Sequence, residues 1–188
     1  GIPELESEDS KYGMKNILTN GSSDFISIEA TVSTSGDQIA IAPGSLSKKW
    51  IENGRNYYHY KLDHPSQHFY SFMSAKYEVK TRKWKDIDIE VYYDEKHPQN
   101  VIMMLDAMER SLDYYTKNFG PYMHKQCRII EIPRYANYAQ AFPGTMPYSE
   151  ALGFTTNLED EEDNNIVDAI ISHEMSHQWW GHQVAGAD

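Results

Sequence analysis

HPQNVIMMLDAMERSLDYYTKNFGP, residues 97–121, is where the repeat of the chain changes. Val101, Leu105, Met108, Leu112, Tyr115 and Phe119 recur at spacings of three and four, Pro98 stands early where a helix tolerates it, and Gly120-Pro121 closes the far end. This pattern predicts a long amphipathic helix. Upstream the repeat is two. Ile26, Ile28, Ala30 and Val32 alternate with Ser27, Glu29, Thr31 and Ser33, and a turn is expected at Ser35-Gly36-Asp37. QIAIA, NYYHYKL, HFYSFMSAKYEV and KDIDIEVYY then follow, rich in β-branched or aromatic residues and separated by Gly, Pro, Asn or Lys. Downstream, KQCRIIEI predicts a buried strand, Pro133 to Ser149 a Pro/Gly/Tyr-rich loop, and Gly153-Phe154-Thr155-Thr156 a short strand. A last helix is expected behind the acid run Glu159 to Asp163, capped by Asp163 or Asn164. The class is therefore α+β, with a polar, flexible lead-in over 1–23, an antiparallel β unit over 24–96 and an α/β unit over 97–188.

Composition narrows the function. With 188 residues, 40% of them hydrophobic, the chain can bury a core. No stretch approaches the ~18 consecutive apolar residues of a membrane span, and the opening GIPELESEDS lacks the basic end and apolar run of a secretory signal. There are 28 acids against 17 Lys+Arg, but Glu4, Glu6, Glu8, Asp9 and the run from Glu159 to Asp163 carry most of the excess. The remainder is close to neutral and shows no basic footprint, so nucleic acid is not expected as a partner. The single cysteine, Cys127, cannot form an internal disulfide, and its place in CRIIEI reads as core. Compartment stays undetermined.

The last predicted helix carries the chemistry. It reads Ile166-Val167-Asp168-Ala169-Ile170-Ile171-Ser172-His173-Glu174-Met175-Ser176-His177-Gln178-Trp179-Trp180, with Gly181 as its stop, and contains HExxH. At about 100° per residue, His173 and His177 lie one turn apart on one face, and Glu174 projects beside them. Two imidazoles so spaced can share one cation, zinc by preference; Glu174 is placed to take a proton from an activated water. Ile166 and Ile170 are expected to point this face toward a core, the histidines continuing the stripe. The bland alternative is a pair of core histidines satisfied by hydrogen bonds, with Trp179 and Trp180 as packing. The remaining histidines, His59, His64, His68, His97, His124 and His182 among them, show no ligand spacing to one another.

His173-Glu174-Met175-Ser176-His177-Gln178-Trp179-Trp180-Gly181 resembles the HExxHQWxG helix of gluzincin aminopeptidases of the aminopeptidase N type. The upstream order is similar too: a β unit, a helix ending Asn118-Phe119-Gly120-Pro121-Tyr122, a strand, a Gly-x-Met loop and a short strand. Pro147-Tyr148-Ser149-Glu150-Ala151-Leu152-Gly153-Phe154 is most similar to bacterial members associated with ABC transporter permeases. The resemblance implies a thermolysin-like catalytic lobe, zinc on His173 and His177, Glu174 as base, and a peptide substrate lying along Gly144-Thr145-Met146 and the strand after it. It also implies a carboxylate gripping the peptide's free amine. Gly144-Thr145-Met146 is followed here by Pro147-Tyr148 rather than Glu-Asn, and the nearest acid is Glu150, the candidate anchor, with a solvated loop acid as the alternative.

In the family a third zinc ligand, a glutamate, stands about nineteen positions after the second histidine, whereas this sequence stops at Asp188. The expectation is a fragment cut through its catalytic domain, inactive by itself, weak in metal affinity and prone to self-association through Trp179 and Trp180. The rival readings are an endopeptidase that dispenses with the amine anchor, and a non-catalytic module that binds a peptide or docks on a transporter permease.

Overall fold

The computed structural model describes residues 25–158 and 161–184. The predicted lead-in over 1–23 and Glu159 and Asp160 of the acid run lie outside the described residues. Mixed α and β structure is present, with a few helices beside largely antiparallel sheets.

Alternation in the first part forms strands as read. β1 (Glu29–Ser35) pairs antiparallel with β4 (Arg55–Lys61), which pairs on its other side with β3 (Ser45–Glu52). β2 (Ile39–Ile41) pairs with β5 (Met73–Ala75). The inner face gathers Ala40, Ala42, Tyr58 and Tyr60 into a small core. β3 was not expected from its residues, SLSKKWIE, because as an edge strand with nearly every side chain in solvent it shows no apolar alternation.

The larger sheet holds β6 (Glu78–Trp84), β7 (Ile87–Tyr93), β8 (Gln126–Ile132) and β9 (Thr145–Ser149) in that order. β6 and β7 form an antiparallel hairpin, while β7, β8 and β9 run parallel. Parallel neighbours need a crossover, and α1 (Val101–Phe119) supplies it between β7 and β8. Its buried stripe, including Val101, Met104, Leu105, Met108 and Leu112, packs with Ile89 and Val91 of β7 and Cys127 and Ile129 of β8. The boundary expected near residue 96 thus falls inside one hydrogen-bonded sheet: the change of period marks a change of element, not of sheet.

β8 is buried over nearly its whole length, as a central parallel strand covered on both faces should be. Burial reaches Arg128, 1% exposed. Its guanidinium donates to the carbonyls of Ala42 (2.7 Å) and Gly44 (2.8 Å) and to Thr145 Oγ1 (3.0 Å), and lies 5.3 Å from the Tyr60 ring centroid. One cation thereby ties the first β unit to the larger sheet.

Between Pro133 and Thr156 the order differs from expectation. The strand is β9, inside the span read as a loop, and Glu150–Phe154 form one π-helical turn begun by Ser149, whose hydroxyl accepts from the Ala151 N–H, in place of the short strand expected at Gly153-Phe154-Thr155-Thr156. Gly153 packs against the Tyr148 ring too closely to allow a β-carbon, 2.7 Å from Tyr148 Cε1. α2 (Glu161–Ser176) completes the fold, starting before the expected cap at Asp163 or Asn164.

Candidate metal centre

α2 packs on α1. The Tyr115 hydroxyl donates to the Ser172 carbonyl (3.0 Å), and Arg110 pairs with Asp168. The buried stripe of α2 is Val167, Ile171 and Met175, at spacings of four. This corrects the expectation for Ile166 and Ile170: Ile166 is 53% exposed and Ile170 only partly buried. The apolar face is rotated by one residue. As a result His173 is exposed and His177 half-buried, not held on an inner stripe, whereas Glu174 turns inward and is 7% exposed. An open imidazole pair beside a sheltered carboxylate is a more useful arrangement for a ligand than a sealed one.

The two rings meet at their Nε2 atoms, 3.2 Å apart, with planes at 90°. His177 Nδ1 lies 3.2 Å from the Trp180 carbonyl, which can only accept, so Nδ1 carries the proton and the Nε2 lone pair points at its neighbour. Such a meeting suits a shared proton or a shared cation. A tetrahedral zinc with Zn–N of about 2.0–2.1 Å sets its ligand nitrogens about 3.3–3.4 Å apart, close to the observed separation. The residues present therefore fit the ion as two of its ligands. Among the described residues no third His, Cys, Asp or Glu clusters with them.

Burial pushes the Glu174 carboxyl above its ordinary range, opposed by the imidazoles of His177 and His173 and by the Ala141 backbone. Ala141 belongs to a hairpin that crosses the inner side of the helix. Phe142 and Thr145 exchange backbone hydrogen bonds of 2.9 and 3.0 Å around Pro143-Gly144, with Gly144 at φ +65° where only glycine sits easily. A β-carbon there would lie 2.4 Å from Gln126 Nε2. Tyr148, buried on β9, is also near Glu174; burial and that carboxylate both push its phenol up.

The Gly144 N–H donates to Gln178 Oε1 (2.8 Å), its carbonyl accepts from the Arg128 N–H (3.1 Å), and both backbone groups of Thr145 are used by Phe142. Met146 is buried in the core. Beyond Thr145, the outer edge of β9 is taken by residues 138–140: Gln140 N–H donates to the Pro147 carbonyl and Ser149 N–H to the Tyr138 carbonyl, each at 3.1 Å. Glu150 stands at the end of β9, where Arg134 donates to its Oε1 from Nε (2.8 Å) and from the backbone (3.1 Å), and this guanidinium holds its carboxyl below the usual range. Its Oε2 lies 4.0 Å from His97 Nδ1, and His97 pairs with the buried Glu131. Glu150 and Glu131 line a cavity of about 160 Å³ with Tyr77, Asp94 and Ile132.

Residues 103–188 match the Peptidase family M1 domain. Three relatives agree. Probable aminopeptidase 1 of Sulfurisphaera tokodaii is 31% identical over 84 residues, 44% of this chain and 11% of that protein. Aminopeptidase N of Lactobacillus helveticus is 28% identical over 120 residues, covering 62% and 14%. Endoplasmic reticulum aminopeptidase 2 of Homo sapiens is 29% identical over 100 residues, covering 52% and 10%. Over part of its length the chain is thus similar to M1-family proteins named as aminopeptidases. The matches also set a limit of scale: the chain spans only 10% to 14% of the length of these relatives.

Two groups were missed in the sequence. His97 joins Glu131 and Glu150, whose ligand atoms lie within 4.8 Å of one another, although nothing in their spacing foretold it; parallel pairing of β8 and β9 and the start of the crossover bring them together. His182 is buried with Nε2 on the Ala141 carbonyl (3.0 Å). Its spacing of eight from Glu174 was the available signal. Of the two rings expected to be exposed or covered by a partner copy, Trp179 is buried and donates to the Gly120 carbonyl (3.0 Å), and Trp180 stays 42% exposed.

Proposed function

We propose that this chain is part of a zinc-dependent, gluzincin-type aminopeptidase, its α/β portion being the start of a thermolysin-like lobe, and that it removes N-terminal residues from peptides. The observation that carries the reading is the 3.2 Å approach of His173 Nε2 and His177 Nε2 beside the buried carboxylate of Glu174. When bound, zinc supplies Lewis acidity that polarises water and the scissile carbonyl.

The chain's own residues divide the remaining work. His173 and His177 present two neutral nitrogens, the latter fixed in its tautomer by the Trp180 carbonyl. Glu174 accepts a proton from the attacking water at its carboxylate; its raised pKa makes it a better base and lets it return that proton to the leaving amine. Glu150 anchors the substrate ammonium in this reading. Arg134 occupies Oε1, leaving Oε2 on the side of His97 as the oxygen an ammonium would approach. The substrate backbone is not given Gly144 or Thr145, whose groups are paired within the chain.

The test uses the longer polypeptide that carries this segment. Glu174→Gln keeps zinc and abolishes turnover of an aminoacyl amide, since it removes the base and leaves both imidazoles. Peptides with a free N-terminus are cleaved and N-acetylated ones are not, while Glu150→Gln raises KM for the free ones. Equal cleavage of blocked peptides would show an endopeptidase instead. The 188-residue chain alone, lacking a third ligand among its described residues, is expected to be inactive.

A further inference from the structure

Alternation along β7 and β8 puts Ile89, Val91, Cys127 and Ile129 into the core with α1, and so turns Asp88, Glu90, Gln126 and Arg128 to the opposite face of the sheet. Parallel register sets Asp88 beside Gln126 and Glu90 beside Arg128. The start of β3, at Ser45 and Leu46, comes over this face and leaves a cleft of about 410 Å³ between the two β units, with Lys125 and Asp86, both exposed, at its rim. That volume falls in the range of small-molecule sites, roughly 300–1,000 Å³. Some of the charges here are spent. Lys83 pairs with Asp88 (2.8 Å), and Arg128 gives its guanidinium to the carbonyls of Ala42 and Gly44 and to Thr145 Oγ1. Others are not. Glu90 receives the Tyr92 hydroxyl on Oε2 (3.1 Å), but neither Glu90 nor Lys125 forms a side-chain ion pair among the described residues. Gln126 is 4% exposed, and neither end of its amide has a hydrogen-bond partner among the described residues.

We propose that this cleft binds a free α-amino acid as its zwitterion, the ammonium on Glu90, the carboxylate between Lys125 and Gln126, and the side chain against Leu46. The unspent groups select that class. A half-buried carboxylate without a cation is costly, and burial pushes the Glu90 carboxyl above its ordinary range, opposed by Arg128 and the Tyr92 hydroxyl. An ammonium, which only donates, removes that cost. A simple cation would leave Lys125 and the Gln126 amide unused, and a simple anion would face Glu90 and Asp86. One molecule carrying both charges on neighbouring atoms meets both needs. Leu46, 47% exposed, is the apolar surface beside them. None of His173, Glu174, His177 and Glu150 lines this cleft, so the proposal stands independently of the zinc reading; under that reading, an amino acid is the class of molecule the same protein releases.

Titration of the 188-residue chain with L-leucine, followed by NMR at single backbone amides, tests the site without metal or turnover. The amides of Glu90 and Gln126 are expected to shift saturably. L-Leucinamide, which lacks the carboxylate, and N-acetyl-L-leucine, which lacks the ammonium, are each expected to bind at least about tenfold more weakly. Glu90→Gln, close in shape to the native side chain, weakens L-leucine by about tenfold or more, and Lys125→Ala, at an exposed position that leaves the fold intact, weakens it by about two- to fivefold. No saturable shift at about 10 mM L-leucine would overturn the proposal. So would equal binding of either derivative, or an unchanged affinity in Glu90→Gln or in Lys125→Ala. Failure of zinc to bind the longer polypeptide would instead overturn the peptidase reading and leave the titration result standing.

Discussion

Lowering the pH should destabilise this chain through His124, and the size of the effect can be worked out. His124 is buried beside Tyr122, with neither ring nitrogen hydrogen-bonded among the described residues. Burial, opposed by Asp63, pushes its pKa down from 6.5 to about 4. A folded pKa below the unfolded one means that the unfolded chain binds the proton more tightly. Stability is then fully present above the unfolded pKa of about 6.5 and is lost as pH falls toward the folded value near 4. Between pH 7.5 and pH 5 the loss from this one group comes to about 2 kcal/mol. For a domain of this size that is about 4–8 °C in Tm. The buried acids Glu131 and Glu174 and the half-buried Glu90, all shifted upward by desolvation, act in the opposite sense, so the raw pH profile mixes contributions. The comparison that isolates His124 is the difference in Tm between pH 7.5 and pH 5 for the native sequence and for His124→Leu. The variant should lose about 2 kcal/mol less than the native chain over that interval. Equal acid losses in the two proteins would refute the reasoning.

Two further outcomes follow from the core. Cys127 is fully buried, its Sγ 3.4 Å from Met175 Sδ and its pKa pushed by burial up to about 12, so an alkylating reagent at pH 8 should modify it only after denaturant is added; rapid labelling of the folded chain would contradict this. Arg128→Met should cost about 3–5 kcal/mol in chemical denaturation, because it strips the Ala42 and Gly44 carbonyls of their buried donor and unties the two β layers. A loss below about 1 kcal/mol would mean those carbonyls find other partners.

Much of the architecture could be read before the structure because its signals are local. The spacing of Val101, Leu105, Met108 and Leu112 sets α1, and the unbroken apolar run of CRIIEI sets the buried strand β8. HExxH placed both imidazoles on one face from periodicity alone. What escaped depends on pairing between distant segments. β3 is an edge strand held by its bonds to β4 rather than by an apolar pattern, and the single sheet spanning residue 96 rests on β7 meeting β8 across the crossover. The rotation of α2 came from a choice between two apolar pairs, Ile166/Ile170 and Val167/Ile171, that sequence periodicity alone ranks almost equally; Met175, continuing the second, decides it. The pairing of Glu150 with Arg134, and of Gln178 with a hairpin more than thirty residues upstream, are likewise tertiary facts.

Zinc content of the longer polypeptide after exhaustive dialysis, measured for the native sequence and for His173→Ala and His177→Ala, tests the central claim most directly. The account predicts about one zinc per chain in the native protein and a loss of at least tenfold in affinity in either variant, with imidazole nitrogens at about 2.0–2.1 Å in the X-ray absorption spectrum. Zinc bound equally well without either histidine, or no zinc bound even with excess metal, would contradict it.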